Sequence, residues 1–247
     1  MAIGLTWADA GMARPVELEL VLAVDTSMSV SATEFALQMA GYAAAFTHPA
    51  VLRAIESTGA DGIAVSMVQW GDINQQATVV DWTWIGDAAS AGAFASRIAA
   101  TGRQFLGPGT ALAIALGYCV GLFDDNGFEG ARRIVDLSGD GRDNRGPQTR
   151  WNRFRALNAG ITINGLAILN EEPLLDLYYE QQVIGGPGAF VEVAADYRDF
   201  AEAIVAKLVR EIAGPALTEE RQSPAGSTLA RAVEPVMRRT TSPSTMR

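Results

Sequence analysis

The chain has 247 residues, of which 49% are hydrophobic, and a formal net charge of −9 at pH 7. This length and composition suit one sizeable α/β domain with a real core and argue against global disorder. Nucleic acids and anionic membrane surfaces are disfavoured as partners, because binding them requires clustered Lys and Arg.

Apolar runs of strand length alternate along the chain with stretches of helical periodicity. The run 18–24 is almost continuously apolar and ends on Asp25, as expected of a strand buried on both faces. Ser31 and Glu34 form a capping box that opens a helix over residues 35–46. The later predicted elements are strands at 63–70 and 76–85, helices at 88–100 and 111–123, a strand at 133–137, a helix at 147–158, a strand at 161–169, a helix at 173–182, a strand at 190–194 and a helix at 197–212. This alternation predicts an α/β fold with a Rossmann-like, doubly wound, mostly parallel six-stranded sheet and helices on both faces.

The two ends of the chain differ in composition from the middle. Residues 1–15 are predicted to be a leader, and an A-x-A-like pattern within them would suit a signal-peptide remnant. A plain disordered N-terminus is the alternative. Residues 16–213 are predicted to form the folded domain. Residues 214–247, rich in Ser, Thr, Pro, Arg and Glu without periodicity, are predicted to be a disordered tail.

Cysteine and histidine are too scarce for several kinds of site. Cys119 is the only cysteine, so an intramolecular disulfide and a thiolate-rich zinc or iron–sulfur site are excluded. His48 is the only histidine and directly precedes Pro49 at the end of a helical pattern, which favours a solvated or capping role. No stretch reaches the roughly 18 apolar residues of a membrane-spanning helix.

Oxygen donors follow two of the predicted strands and precede one helix. Asp25, Ser27 and Ser29 form a D-x-S-x-S sequence after the first strand, Thr110 begins an apolar helix, and Asp140 follows the fourth strand. Ligands of doubly wound sheets bind at the carboxyl ends of strands, where the strand order reverses. Two carboxylates and three hydroxyls are hard donors that suit Mg²⁺, which takes about six oxygens and commonly keeps some waters. We therefore predict a metal site that binds a partner's carboxylate at an open position and does not catalyse a reaction.

Each of these residues also has a purely structural explanation. Ser27 and Ser29 could bond only to turn backbone. Thr110 could be only a helix N-cap, and Asp140 could be an ordinary turn residue. The metal-site interpretation depends on all of them occurring together on the expected loops.

The same residues carry a resemblance to a known family. D-x-S-x-S, a Thr and an Asp on three loops, in this order of elements, resemble the von Willebrand factor type A domain with its metal-ion-dependent adhesion site (MIDAS). More narrowly, the segments 16–29, 127–141, 159–168 and 178–190 are similar to a bacterial branch of uncharacterised, typically exported proteins of this kind. The resemblance implies that residues 16–213 are a von Willebrand A-like domain.

The resemblance also implies a ligand set and a function. Asp25, Ser27, Ser29, Thr110 and Asp140 would hold Mg²⁺, with Mn²⁺ or Ca²⁺ as alternatives. The partner would be a protein that presents an Asp or Glu side chain, and no residue would be catalytic. A periplasmic or otherwise exported location follows from the same resemblance, with a cytoplasmic location as the alternative.

The sequence departs from the family pattern near Asp140. Many relatives have Thr-Asp-Gly where this chain has Gly139 before Asp140. Asp136 lies inside the predicted strand, where an aliphatic residue is expected; a buried carboxylate needs partners, and we expect neighbouring backbone or an Arg. Asp143 and Asn144 are candidates for outer-shell groups, although solvated loop residues are the default there.

Two other functions remain open. A phosphotransferase resembling the haloacid dehalogenase family would use Asp25 as its nucleophile. That family's second acid is replaced here by Ser27, and the only lysine, Lys207, lies in the last predicted helix. A metal-free von Willebrand A scaffold would show no change in thermal stability on addition of Mg²⁺ or EDTA.

Overall fold

The computed structural model describes residues 12–214, which form an α/β fold with a central sheet between two layers of helices. The strands are β1 (Arg14–Asp25), β2 (Ile63–Trp70), β3 (Gln76–Ile85), β4 (Phe128–Gly139), β5 (Thr162–Ile168) and β6 (Val191–Ala194). The helices are α1 (Ala32–Thr47), α2 (Pro49–Glu56), α3 (Ala88–Ala99), α4 (Leu112–Gly121), α5 (Thr149–Asn158), α6 (Leu175–Tyr178) and α7 (Phe200–Ala213). Helix α6 continues into a π-helical turn over Tyr179–Val183.

The six strands form one sheet in the order β3-β2-β1-β4-β5-β6. Strand β3 is antiparallel to β2, and the other neighbouring strands are parallel. Strand β1 lies in the middle of the sheet, between β2 and β4, so the strand order reverses beside it. Val24 of β1 pairs with Ser138 of β4, and the loops that follow these two strands therefore leave the sheet side by side. The predicted doubly wound, mostly parallel fold is confirmed.

Each face of the sheet has its own hydrophobic core. Leu20 and Leu22 of β1 pack toward the face covered by α1, α3 and α7. Val21 and Ala23, which alternate with them, pack toward the face covered by α4 and α5. A strand with both faces buried must be apolar at every position, which is why this strand shows no alternation in sequence. Each fully buried aliphatic side chain contributes about 1.5–3 kcal/mol to folding.

Local capping signals in the sequence are present at the helix ends. The Glu34 N–H donates to the Ser31 side chain over 3.2 Å, and the Ser31 N–H donates to the Glu34 carboxylate over 2.7 Å, so the capping box of α1 is confirmed. His48 caps α2, because its Nδ1 accepts from the Ala50 N–H over 3.2 Å. Gly160, with a φ of 70°, follows the end of α5 as a C′ glycine.

Several predicted boundaries differ from the structure. Helix α2 was missed, because it starts directly after α1 with no polar linker between them. Strand β4 begins at Phe128 rather than 133, since its polar first half pairs with β1 and leaves side chains exposed. The helix predicted over 173–182 is shorter, because its second half widens into the π-helical turn. Strand β1 starts at Arg14, inside the segment predicted as leader, and residues 1–11 of that leader and residues 215–247 lie outside the described residues.

Residues 12–214 also bear on the predictions for membrane-spanning helices and for Cys119. None of the helices in this range is long and apolar enough to cross a membrane. Cys119 is a buried free thiol, and burial raises its pKa to about 12, as expected of an unreactive core cysteine.

Candidate metal site

The five predicted ligands lie on three loops at the carboxyl ends of β1 and β4. Asp25 ends β1, Ser27 and Ser29 lie in the loop after it, Thr110 lies just before α4, and Asp140 directly follows β4. Ser29 is exposed, whereas the other four residues are buried. The group therefore has a buried floor and one side that is open to solvent.

Hydrogen bonds join the loop after β1 to the loop after β4. The Ser29 hydroxyl donates to Oδ1 of Asp140 over 2.8 Å, and the hydroxyl oxygens of Ser27 and Ser29 are 3.1 Å apart. The Ser27 N–H donates to Oδ1 of Asp25 over 2.7 Å. A continuous series of polar contacts thus runs from Asp25 through the two serines to Asp140.

Thr110 faces the same loop from the other side. Its N–H donates to Oδ1 of Asn144 over 2.9 Å, and the Asn144 N–H donates to the Thr110 carbonyl over 3.0 Å. A Cβ atom at Gly141, next to Asp140, would lie 3.7 Å from the Thr110 hydroxyl oxygen. The Thr110 hydroxyl is therefore directed at the Asp140 turn, and Asn144 holds it there through the backbone.

The two carboxylates are electrostatically unfavourable as they stand. Burial, and secondly the charge of Asp140, raise the pKa of Asp25 to about 7. Burial also raises the pKa of Asp140, although hydrogen bonds from Ser29 and Tyr197 oppose the shift. Oδ2 of Asp25 is fully buried and has no hydrogen-bond partner among residues 12–214. Two buried carboxylates of like charge need a counter-ion to be ionised together.

A small divalent cation fits these donors. Within residues 12–214, no three or more His, Cys, Asp or Glu side chains are grouped so that they could hold a metal. This part of the chain therefore has no metal site built on imidazole or thiolate ligands. The donors here are two carboxylates and three hydroxyls, which are the oxygen ligands that Mg²⁺ prefers. Oδ2 of Asp25 offers a lone pair to which no group within residues 12–214 donates a hydrogen bond.

Arg103 anchors the D-x-S-x-S loop and was missed by sequence reasoning. Its guanidinium donates to four backbone carbonyls, those of Thr26 (2.8 Å), Ser27 (2.7 Å), Val30 (2.7 Å) and Phe105 (2.9 Å). Arginine carries five N–H donors in a rigid fork, so one side chain can hold several carbonyls in a fixed arrangement. No local pattern marks this residue, because it lies in an irregular segment far along the chain from the loop.

Replacing Arg103 with Lys is expected to weaken Mg²⁺ binding about 3- to 10-fold and to destabilise the domain by about 1–3 kcal/mol, because several carbonyl acceptors lose their donors. Calorimetric titration with Mg²⁺ and thermal unfolding in EDTA would measure the two effects. Arg97→Lys is the matched control, since Arg97 donates to the exposed Thr83 hydroxyl. Equal Mg²⁺ affinity in all three proteins would contradict the anchoring role.

Two further residues support the site from other elements. The Tyr197 hydroxyl, just before α7, donates to Oδ2 of Asp140 over 3.0 Å. Oδ2 of Asp72, in the loop after β2, accepts from the Gly109 N–H over 3.1 Å and so steadies the backbone beside Thr110. Neither was identified from sequence, because each is an ordinary polar residue outside any motif. Asp143, predicted as an outer-shell candidate, instead accepts from the Thr149 hydroxyl at the start of α5.

Asp136 has a different partner from the one predicted. We expected backbone or an arginine, but Nζ of Lys207 lies 2.8 Å from its Oδ1. Lys207 also forms an ion pair with Glu211, and all three side chains are buried. The arginine expectation was wrong because α7 packs over this face of the sheet and brings the only lysine of the chain to Asp136.

The buried cluster of Asp136, Lys207 and Glu211 predicts a pH dependence of stability. Burial, and secondly the charge of Asp136, raise the pKa of Glu211 from 4.5 to about 7. The folded state therefore holds a proton that the unfolded chain releases, so the stabilisation is complete below about pH 4.5 and is lost as the pH rises through 7. In EDTA, Glu211→Gln is expected to reduce the fall in melting temperature between about pH 5 and 7.5. If melting temperature fell equally with pH in Glu211→Gln and in the unaltered protein, Glu211 would not be the group responsible.

The fold is von Willebrand factor type A-like, because solved structures of such domains resemble this chain. The von Willebrand domain of the type V pilus tip protein Mfa5 from Porphyromonas gingivalis has a TM-score of 0.57 and 11% identity, covering 87% of this chain and 99% of that one. Manganese-loaded TRAP protein from Plasmodium vivax has a TM-score of 0.55 and 16% identity, covering 80% and 73%.

A longer neighbour and a family model complete the comparison. Proximal thread matrix protein 1 from the mussel byssus has a TM-score of 0.60 and 13% identity over 83% of this chain, which spans only 50% of that protein. At such identities the likeness shows the fold alone. A family model described as "Protein of unknown function (DUF1194)" matches residues 15–216, and the chain belongs to that family. A comparison with curated proteins gives no match.

Proposed function

We propose that this domain binds Mg²⁺ through Asp25, Ser27, Ser29, Thr110 and Asp140 and uses the ion to bind a carboxylate of a protein partner. The observation that carries the proposal is the buried, unpartnered Oδ2 of Asp25 beside a second buried carboxylate. A divalent cation neutralises both charges. Hydroxyl ligands leave the ion strongly Lewis acidic, so an Asp or Glu side chain of the partner completes the coordination.

Structural neighbours support a metal-dependent binding module in general terms. One structure of the mussel byssus protein is described as having a zinc-occupied MIDAS motif, and the TRAP structure is described as manganese-loaded. Mfa5 is a pilus tip protein, and a further neighbour, SpaC from Lactobacillus rhamnosus GG, is a pilus adhesin. Mg²⁺ is our proposal for this chain, with Mn²⁺ or Ca²⁺ as alternatives, because all five donors are hard oxygens.

The surface around the site suits a protein partner. Met28, Ile73 and Leu106 lie on three loops beside the proposed ligands and are 62%, 47% and 71% exposed. The Met28 N–H donates to the carbonyl of Gly107 over 3.0 Å, so the loops that carry Met28 and Leu106 are held together. Large apolar side chains around a polar centre are typical of the interfaces at which proteins bind one another.

The other residues with catalytic potential are engaged elsewhere. Lys207 is ion-paired with Asp136 and Glu211, which removes the usual phosphate-binding lysine from a phosphotransferase site at Asp25. His48 caps α2. These contacts favour binding over catalysis. We further propose a periplasmic or otherwise exported location, which the pilus and adhesin neighbours support and which fractionation of the native organism would test.

The decisive experiment is capture of a partner from extracts of the native organism in Mg²⁺, in EDTA and with Asp25→Ala. We expect a partner that is retained only by the unaltered protein in Mg²⁺, and retained less well by Leu106→Ser, which keeps the ligands. Mutating the partner's Asp and Glu residues in turn should identify one carboxylate that is required. A partner captured equally under all conditions would remove the metal from the mechanism.

A further inference from the structure

The ring of Tyr179 lies in a slot made by two glycines on the sheet. Leu137 of β4 pairs with Gly165 of β5, and Gly139 lies two residues beyond Leu137 on the same face of β4. A Cβ atom at Gly165 would lie 2.6 Å from Cδ2 of Tyr179, and one at Gly139 would lie 2.9 Å from the Tyr179 hydroxyl oxygen. Any side chain at either position would displace the ring. The ring therefore crosses from β5 to β4 with its hydroxyl directed toward β1.

That hydroxyl reaches the floor of the candidate metal site. A Cβ atom at Gly139 would lie 2.9 Å from both the Tyr179 hydroxyl oxygen and Oδ2 of Asp25, so these two oxygens are at most about 5.8 Å (2.9 + 2.9) apart. Both oxygens are fully buried, and neither has a hydrogen-bond partner within residues 12–214. Leaving a buried polar atom unsatisfied costs about 1–3 kcal/mol. Two such atoms so close together indicate that they share a function, and a single water can bridge two oxygens at this separation.

The backbone around Tyr179 fixes its position. Tyr179 is the first residue of the π-helical turn, and the Ile184 N–H donates to its carbonyl over 3.0 Å. Directly after the turn, Gly185 forms a β-bridge with Ile163 of β5, which ties the segment to the sheet. π-Helical turns are rare and occur frequently at functional sites, where they place a side chain that a regular helix would direct elsewhere. The position of the ring is thus fixed by its contacts with Gly139 and Gly165 on the sheet and by the backbone of the π-helical turn.

We propose that Tyr179 is a positioning residue of the metal site, which donates through one water to Oδ2 of Asp25 and orients that carboxylate toward the cation. This inference rests on the proposed function. Outer-shell hydrogen bonds of this kind fix the direction of a ligand before the metal arrives, and their loss commonly lowers metal affinity 10- to 100-fold. In this arrangement Tyr179 contacts neither the ion nor the partner's carboxylate and acts only through Asp25.

Tyr179→Phe tests the proposal, and Tyr178→Phe is its matched control. The Tyr178 hydroxyl lies 3.3 Å from the Thr149 hydroxyl, away from Asp25. Calorimetric titration should show Mg²⁺ binding about tenfold weaker in Tyr179→Phe and unchanged in Tyr178→Phe. The melting temperature of Tyr179→Phe in EDTA should be equal to or higher than that of the unaltered protein, because a buried hydroxyl without a partner has been removed.

A spectroscopic measurement separates positioning from packing. Titration with Mg²⁺ should perturb tyrosine ultraviolet absorption equally in the unaltered protein and in Tyr178→Phe, and the difference band should be smaller in Tyr179→Phe, in which only Tyr197, bonded to Asp140, still reports on the site. Equal Mg²⁺ affinity in the unaltered protein and Tyr179→Phe would overturn the inference while leaving the proposed function intact. A parallel loss of melting temperature and affinity would also overturn it, by making Tyr179 a packing residue. No Mg²⁺ binding by the unaltered protein would overturn the proposed function itself.

Discussion

Replacing Asp25 with Asn is expected to abolish Mg²⁺ binding and, at the same time, to stabilise the metal-free domain. Asn keeps the size of the side chain and can still accept from the Ser27 N–H. It loses the negative charge that a hard cation requires, so we expect affinity for Mg²⁺ to fall by more than about 100-fold. Removing one of two buried like charges should raise the stability of the metal-free protein by about 1–3 kcal/mol.

Thermal unfolding at pH 8, in Mg²⁺ and in EDTA, measures both effects of Asp25→Asn. The unaltered protein should melt at a higher temperature in Mg²⁺ than in EDTA, whereas the two curves of the variant should coincide at a temperature above that of the unaltered protein in EDTA. Asp143→Asn is the control, because its carboxylate faces the Thr149 hydroxyl and should leave the response to Mg²⁺ unchanged. A variant that still gained stability from Mg²⁺ would exclude Asp25 as a ligand. An unaltered protein with no response at all would favour the metal-free scaffold.

Replacing Lys207 with Met should destabilise the domain strongly, and by more than Arg103→Lys. Lys207 is fully buried, 2.8 Å from Asp136, and also paired with Glu211. Without it, two buried carboxylates face each other with no cation, and breaking a buried pair in this way costs about 3–5 kcal/mol. For a domain of this size the melting temperature should fall by about 10 °C. The Asn164 amide, which donates to Glu211 over 2.9 Å, cannot replace a full positive charge.

A charge-balanced variant distinguishes lost charge from lost packing. Adding Asp136→Asn and Glu211→Gln to Lys207→Met removes both carboxylates together with the ammonium group and changes the packed volume little. Urea unfolding should show that this triple variant recovers most of the stability lost in Lys207→Met, since replacing a whole buried charge cluster by neutral groups is often close to neutral. If the triple variant were as unstable as Lys207→Met, the cost would come from packing around the lysine stem instead.

The departure at Gly139 shows why part of the site could be read from sequence and part could not. The resemblance predicts Thr before Asp140. The sequence alone does not explain why Gly139 stands there instead. In the structure, the Tyr179 hydroxyl occupies the space that any side chain at residue 139 would need. Residues 139 and 179 are brought together only because α6 and its π-helical turn pack on the face of β4 and β5 that carries the two glycines.

The sequence by itself determined the type and order of most elements, the capping of α1 and the loops that carry Asp25, Thr110 and Asp140. These features depend on apolar periodicity and on contacts between residues a few positions apart, and both are visible in one dimension. The tertiary structure alone decided that Arg103 holds the loop of Ser27, 76 residues away, and that Tyr197 bonds to Asp140, 57 residues away. It likewise decided that Lys207 neutralises Asp136. Such contacts depend on strand order and helix packing, which no local pattern encodes.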